Sequence, residues 1–169
     1  MSVDSLRIER IPTRASEEAL EPCRRIRQTV FVEEQQVSSE LEWDDLDGEA
    51  EHFVAFTLSE GSPDEGTPER VEQATPVGTA RLRILADYAK AERVAVLLSG
   101  RRRGVGLALM HALEERAAAR GTAEIRLNAQ IVAEPFYRAL DYQPFGDPFE
   151  EAGIPHIAMR KTLSPRSAS

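Results

Sequence analysis

The sequence predicts a mixed α+β fold (α/β mixed) built on a strand–loop–helix–strand core over residues 94–129. Three observations predict it. Val94–Leu98 is a short apolar, β-branched run that suits a buried strand. Val105, Leu109, Leu113 and Ala117 recur every four residues and mark a helix from about Gly104 to Arg120, with Gly121 as its stop. Ile125, Leu127 and Ala129 then alternate with polar residues, which places Asn128 and Gln130 on the other face of a strand over Ile125–Ala129.

The remaining elements are read outward from this core. Leu6, Ile8 and Ile11 alternate as in a first strand. Ser16 caps a helix whose apolar positions are Leu20, Cys23, Ile26 or Arg27, and Val30 or Phe31; Pro22 falls early, where a helix tolerates it best. Residues 33–51 are acidic and polar around Val37, Leu41, Trp43 and Leu46, which indicates an ordered loop or short helical turns. Residues 52–58 (HFVAFTL) and 77–85 read as two strands of a hairpin. The stretch between, 59–76, carries the Pro, Gly, Ser and Glu bias of a flexible solvated loop. A short helix is expected over Ile131–Leu140, then two strands within 142–162 around Gly153 and Pro155. One domain over 1–163 and a frayed tail at 164–169 complete the expectation.

Bulk properties exclude several function classes. The net charge of −8 argues against nucleic acid as the main partner, because phosphate contacts need Lys and Arg in excess. No apolar run approaches the ~20 residues of a membrane helix, and the N-terminus lacks the layout of a signal peptide, so a cytoplasmic location is expected. The single cysteine, Cys23, suits a reducing compartment and reads as small core filler. The three histidines are scattered, so no metal site is expected.

The strongest chemical signal is Arg101-Arg102-Arg103-Gly104-Val105-Gly106, where a buried strand runs into a glycine-containing turn and a helix begins. The first N–H groups of a helix are unpaired and the dipole adds positive potential there. Three arginines at that end oppose the dipole, an arrangement that makes sense when an anion sits among them. A diphosphate fits, since guanidinium groups pair bidentately with phosphate oxygens. The spacing matches neither a Walker loop nor a dinucleotide fingerprint.

Arg101-x-x-Gly104-x-Gly106 after Val94-Ala95-Val96 resembles motif A of the GNAT superfamily of N-acetyltransferases, and Phe136-Tyr137-Arg138-Ala139-Leu140 resembles its FYxxxGF element. Arg27, Val30-Phe31-Val32, Glu34-Gln35, Asp45, His52, Ala129-Gln130 and Gly153-Ile154-Pro155-His156-Ile157 resemble the ElaA/YjcF-like branch, in order over residues 24–160. Two departures stand out: Asp141 replaces the usual glycine, and Leu98-Ser99-Gly100 replaces the usual proline before the loop.

The resemblance implies a splayed mixed sheet flanked by helices on both faces, with acetyl-CoA as co-substrate wedged into the splay. It implies that the backbone of Val94, Ala95 and Val96 pairs with the pantetheine arm and that Arg101, Arg102, Arg103, Gly104, Val105 and Gly106 hold the pyrophosphate. Asn128 and Phe136 line the thiol end, and Tyr137 protonates the departing thiolate. A phenol suits that task because its ordinary pKa of ~10 lies above that of a thiol. The base is left open: Glu92, read as sharing a face with Val94 and Val96, is the first candidate, with Glu34, Asp45, His52 or a water chain as alternatives. Arg27, Glu34, His52 and His156 are the candidate acceptor-binding residues. His111 reads as exposed, and Trp43 as a packing residue or a wall of the acceptor site. The expected partner is a small-molecule amine, and proteins of this resemblance are commonly homodimers. Arg27, Phe31, Trp43 and Asp45 also resemble the pattern of acyl-homoserine-lactone synthases, which load from acyl carrier protein and lack the Gly-Ile-Pro-His element. A silent acyl-CoA sensor is the reading from another class.

Overall fold

The computed structural model describes residues 5–61 and 72–164. Seven strands form one sheet in the order β1-β2-β3-β4-β5-β7-β6. They are β1 Ser5–Ile11, β2 Glu51–Glu60, β3 Glu72–Ile84, β4 Ala89–Val96, β5 Glu124–Gln130, β6 Gln143–Glu151 and β7 Ile154–Thr162. All neighbouring pairs are antiparallel except β4 and β5. The α-helices are α1 Glu17–Arg27, α2 Ser39–Glu42, α3 Val105–Ala119 and α4 Glu134–Arg138.

The two faces of the sheet carry separate cores. On one face α3 buries Val105, Leu109, Leu113 and Ala117, the predicted stripe, against Ala80, Leu82, Ala91, Ile125, Leu127 and Met159. On the other, Ile26, Val30, Phe31 and Val37 pack on Ala95. Ser16 Oγ caps α1 by accepting from the Ala19 amide at 3.2 Å. Past Arg27 the helix widens into a π-helical stretch over Gln28–Glu34. That extra residue in the turn resolves the ambiguity of the helical spacing, because Ile26 and Arg27, and then Val30 and Phe31, are all buried. Cys23 is fully buried, and burial pushes its thiol pKa up. Gly121, at φ +83°, ends α3 as expected.

Several boundaries differ from the sequence reading. The strand read at Val94–Leu98 spans Ala89–Val96, and Leu98 is exposed in a 3-10 turn over Leu98–Gly100. Its start was hidden because Lys90 and Glu92 interrupt the apolar run; both belong to ion pairs that the sequence does not reveal. The hairpin loop is shorter than 59–76: β2 continues to Glu60 and β3 begins at Glu72, each residue pairing with the other. Residues 62–71 of that loop and tail residues 165–169 lie outside the described residues. The helix read at Ile131–Leu140 is a 3-10 turn, Ile131–Ala133, followed by the single-turn α4.

A β-bulge in β4 sets the geometry of the site. Thr79 pairs with Ala95 and Arg81 with Glu92, so Arg93 and Val94 together face Ala80. Arg93 takes φ +53° to make this possible. The bulge overturns the expectation that Glu92 shares a face with Val94 and Val96. Residues directly opposite share a face, so Glu92 lies with Arg81, Thr79 and Ala95.

Candidate active site

The parallel pairing of β4 with β5 covers Ala89–Ala91 against Ile125–Leu127. β4 runs on to Val96 and β5 to Gln130, and no pairing joins those extensions. The sheet therefore forks, and the fork opens a cavity of about 400 Å³. Val94, Ala95, Val96 and Arg101 line it from the β4 side, Asn128 and Gln130 from β5, and Tyr137 from α4. Val30, Phe31, Glu34 and Val37 come from the π-helical stretch and the turn after it, Glu151 and His156 from β6 and β7.

The mouth of the fork meets the start of α3. Gly104, at φ +78°, is the N-cap residue, and its side has no Cβ to shield the helix end. Arg102 is also left-handed, at φ +61°, and Arg102 and Arg103 are exposed. Arg101 turns inward: its Nε donates to the Val96 carbonyl at 3.0 Å and its guanidinium pairs with Glu34 at 2.7 Å. Gly106 lies under the Phe136 ring, and a Cβ there would sit 3.3 Å from Phe136 Cζ. Open N–H groups, a close-approach glycine and a bank of arginines fit a pyrophosphate, and the unpaired edge of β4 fits an amide-bearing arm.

Tyr137 is buried among the α3-face core residues and packs edge-on against Phe136 and Tyr142, with centroids at 5.0 and 5.8 Å. Loss of solvent pushes its hydroxyl pKa up to about 12, so it stays protonated at neutral pH. Asp141, where the resemblance has glycine, adopts φ +71°. Asp tolerates that left-handed conformation better than most side chains, which explains how the turn after α4 survives without glycine.

Glu92, the first candidate base, is held by three cations: Arg81 at 2.6 Å, Arg83 at 2.7 Å and Lys90 at 3.5 Å. The charge and hydrogen bonds of Arg83 and Arg81 outweigh burial and hold its carboxyl below the ordinary range. Such a group keeps its negative charge and is a weak proton acceptor. Arg27 and His52, expected from the sequence to bind the acceptor, are buried and do not line the cavity. Arg27, 1% exposed, pairs with Glu42 at 2.6 Å and Asp47 at 2.8 Å, and its guanidinium lies 4.9 Å from the Trp43 ring centre. His52, also 1% exposed, donates from Nε2 to the Asp47 carbonyl at 3.0 Å; burial lowers its pKa. These ties anchor residues 42–52 to the sheet. Asp45 is exposed at φ +62° and does not line the cavity. Phe136 likewise covers Gly106 and is not part of the cavity lining. His111 is exposed on α3.

Sequence reasoning missed the buried charge network behind the cavity. Arg81, 1% exposed, pairs with Asp44, Asp47 and Glu92. Arg93 pairs with Glu42 at 3.1 Å and Asp44 at 3.1 Å. The available signal was an arginine inside the apolar run 77–85, which demands buried carboxylates. Also missed was the amide bridge from Gln130 Nε2 to Gln35 Oε1, 2.8 Å, which ties β5 to the segment after the π-helical stretch.

Comparison with known proteins agrees with this geometry. Residues 65–163 match the acetyltransferase (GNAT) domain family. The chain is 40% identical over 147 residues to the uncharacterised N-acetyltransferase YjcF of Bacillus subtilis, covering 86% of this chain and 94% of that protein.

The chain belongs to the GNAT acetyltransferase family.

Two solved structures share its fold: ElaA of Escherichia coli, with a TM-score of 0.73 at 22% identity over 93% of this chain and 99% of that one, and an acyl-CoA N-acyltransferase from Pseudomonas aeruginosa, with a TM-score of 0.74 at 23% identity over 93% and 99%. This GNAT protein is an acyl-CoA-dependent N-acyltransferase. Among the described residues no helix is long and apolar enough to cross a membrane.

Proposed function

We propose that this GNAT protein transfers an acetyl group from acetyl-CoA directly to the amine of a small acceptor, with Tyr137 as general acid. The observation that carries this reading is the fork between β4 and β5, lined by Arg101 ahead of the start of α3 and walled by Tyr137. The backbone of Val94, Ala95 and Val96 holds the pantetheine arm, and Arg101 to Gly106 hold the pyrophosphate. Asn128 lines the cavity where the thioester reaches the centre of the sheet, and Phe136 fixes the start of α3 against α4. Binding of acetyl-CoA supplies an activated acyl group; the protein's part is alignment and proton transfer.

The acceptor enters from the other side of the fork, past Phe31, Glu34, Glu151 and His156. The apolar wall of Val30, Phe31, Val37 and Ile154 leaves little water around the reacting carbonyl. Glu34 and Glu151, both exposed at the rim, draw in a cationic amine. Release of CoA thiol from acetyl-CoA, measured across a panel of small amines, tests the reading. Amine-dependent release supports it. Tight CoA binding by calorimetry without turnover of any amine replaces the enzyme with an acyl-CoA sensor.

A further inference from the structure

We infer that His156 is the general base that takes the proton from the acceptor amine, an inference that rests on the acetyl-transfer reading above. The imidazole is 10% exposed and lines the cavity. Its Nδ1 lies 2.6 Å from the Ile154 carbonyl oxygen. A carbonyl oxygen only accepts, so Nδ1 carries the ring proton and donates it there. In the neutral ring that leaves Nε2 with a free lone pair, the form a base needs. The ring is held in place by stacking on Phe149, with centroids 5.9 Å apart and planes 21° from parallel. Glu151 Oε2 lies 3.7 Å from Nε2, at the open side of the ring.

The sheet places this base across from the acid. Gln130 of β5 pairs directly with His156 of β7, so the two side chains share a face with Asn128, two residues back along β5. That face carries Gln35, bonded to Gln130, and the Val30–Phe31–Val37 wall. Tyr137 belongs instead to the core on the α3 face. The fork lies between them. Addition of the amine from one side and departure of sulfur on the other require proton acceptor and donor to be separated in this way.

The step balances without another reactant. The acceptor ammonium first gives one proton to solvent; the lone pair of the neutral amine then forms the N–C bond to the thioester carbonyl carbon, and His156 Nε2 takes the remaining N–H proton. The C–S bond breaks, its electron pair stays on sulfur, and Tyr137 gives its hydroxyl proton to the thiolate. The imidazolium then returns its proton to solvent, and the phenolate takes one back.

The closing test compares wild type with His156→Asn, because the Asn amide can still donate to the Ile154 carbonyl while supplying no base. With an amine accepted by the wild type, kcat/KM is expected to fall by about 10²- to 10⁴-fold, with calorimetric CoA affinity within about threefold and without the acidic limb of the pH–rate profile. Turnover within threefold of wild type with that limb intact overturns the base assignment alone. A wild type inactive on every amine overturns the transfer reading and this assignment with it.

A second variant covers failure of His156→Asn to fold. Glu151→Gln alters an exposed carboxylate. The other titratable groups sharing the cavity include Tyr137, Glu34 and Glu42, while Gln130 and Phe149 beside the ring are neutral. Removing the carboxylate next to Nε2 is expected to lower kcat severalfold with CoA affinity unchanged; an unchanged kcat counts against His156.

Discussion

The tip of the Phe136 ring meets Gly106: a Cβ added to that glycine would sit 3.3 Å from Phe136 Cζ. The contact joins the first turn of α3, where the phosphate loop ends, to α4, which carries Tyr137. Gly106→Ala separates stability from function at this contact. Alanine adds up to about 1 kcal/mol of helix propensity, and Phe136, 38% exposed, has room to yield. The expected outcome is an unchanged or raised melting temperature together with at least tenfold weaker CoA binding, because the methyl group pushes Phe136 aside and disturbs the contact that holds α4 against the first turn of α3. Equal CoA affinity in calorimetry removes Gly106 from the cradle.

Tyr137→Phe deletes one hydroxyl and keeps the edge-on packing against Phe136 and Tyr142. Turnover is expected to fall by about 10²- to 10⁴-fold, with CoA affinity and melting temperature close to wild type. Burial holds the wild-type hydroxyl pKa at about 12, so its protonation contributes no basic limb to the rate profile below about pH 10. Equal turnover in the variant ends the acid role.

Arg27→Met leaves the packing volume largely in place and takes one buried cation from Glu42 and Asp47, which keep Arg93 and Arg81 as their remaining partners. Removing one partner of a buried pair costs roughly 3–5 kcal/mol. Urea denaturation is expected to show a loss of that size, and a change under about 1 kcal/mol counts against the network as a structural anchor.

The same network sets the acid stability. Ion pairing with arginines holds the carboxyls of Asp44, Asp47 and Glu92 below their ordinary values, and that of Glu51 likewise through Arg116 and Arg10. A carboxyl whose folded pKa is depressed contributes its stability above the unfolded value, about 4, and loses it as pH falls. Glu42, pushed up by burial, acts in the opposite sense. Four depressed groups against one raised one give an unfolding free energy that drops steeply below about pH 4. A free energy that rises between pH 5 and 3 contradicts this balance.

What the residues alone determined was local and periodic. The α3 stripe, the Ser16 cap, the Gly121 stop and the turn at Gly104 each follow from side chains within a few positions of one another, and all four stand in the structure. The family resemblance was legible because the phosphate loop and the α4 segment are contiguous in sequence. The tertiary structure decided the rest. The bulge at Arg93 and Val94 moved Glu92 off the expected face, since a one-residue slip reverses every side chain beyond it. Arg27 and His52, read as acceptor contacts, became buried ties because their partners lie in the acidic segment 42–49, whose path no periodicity encodes. His156 was brought beside Gln130 and Phe149 only by the pairing of β7 with β5 and β6. Pairing between distant charges depends on where the sheet brings them together, and that placement is a property of the folded chain.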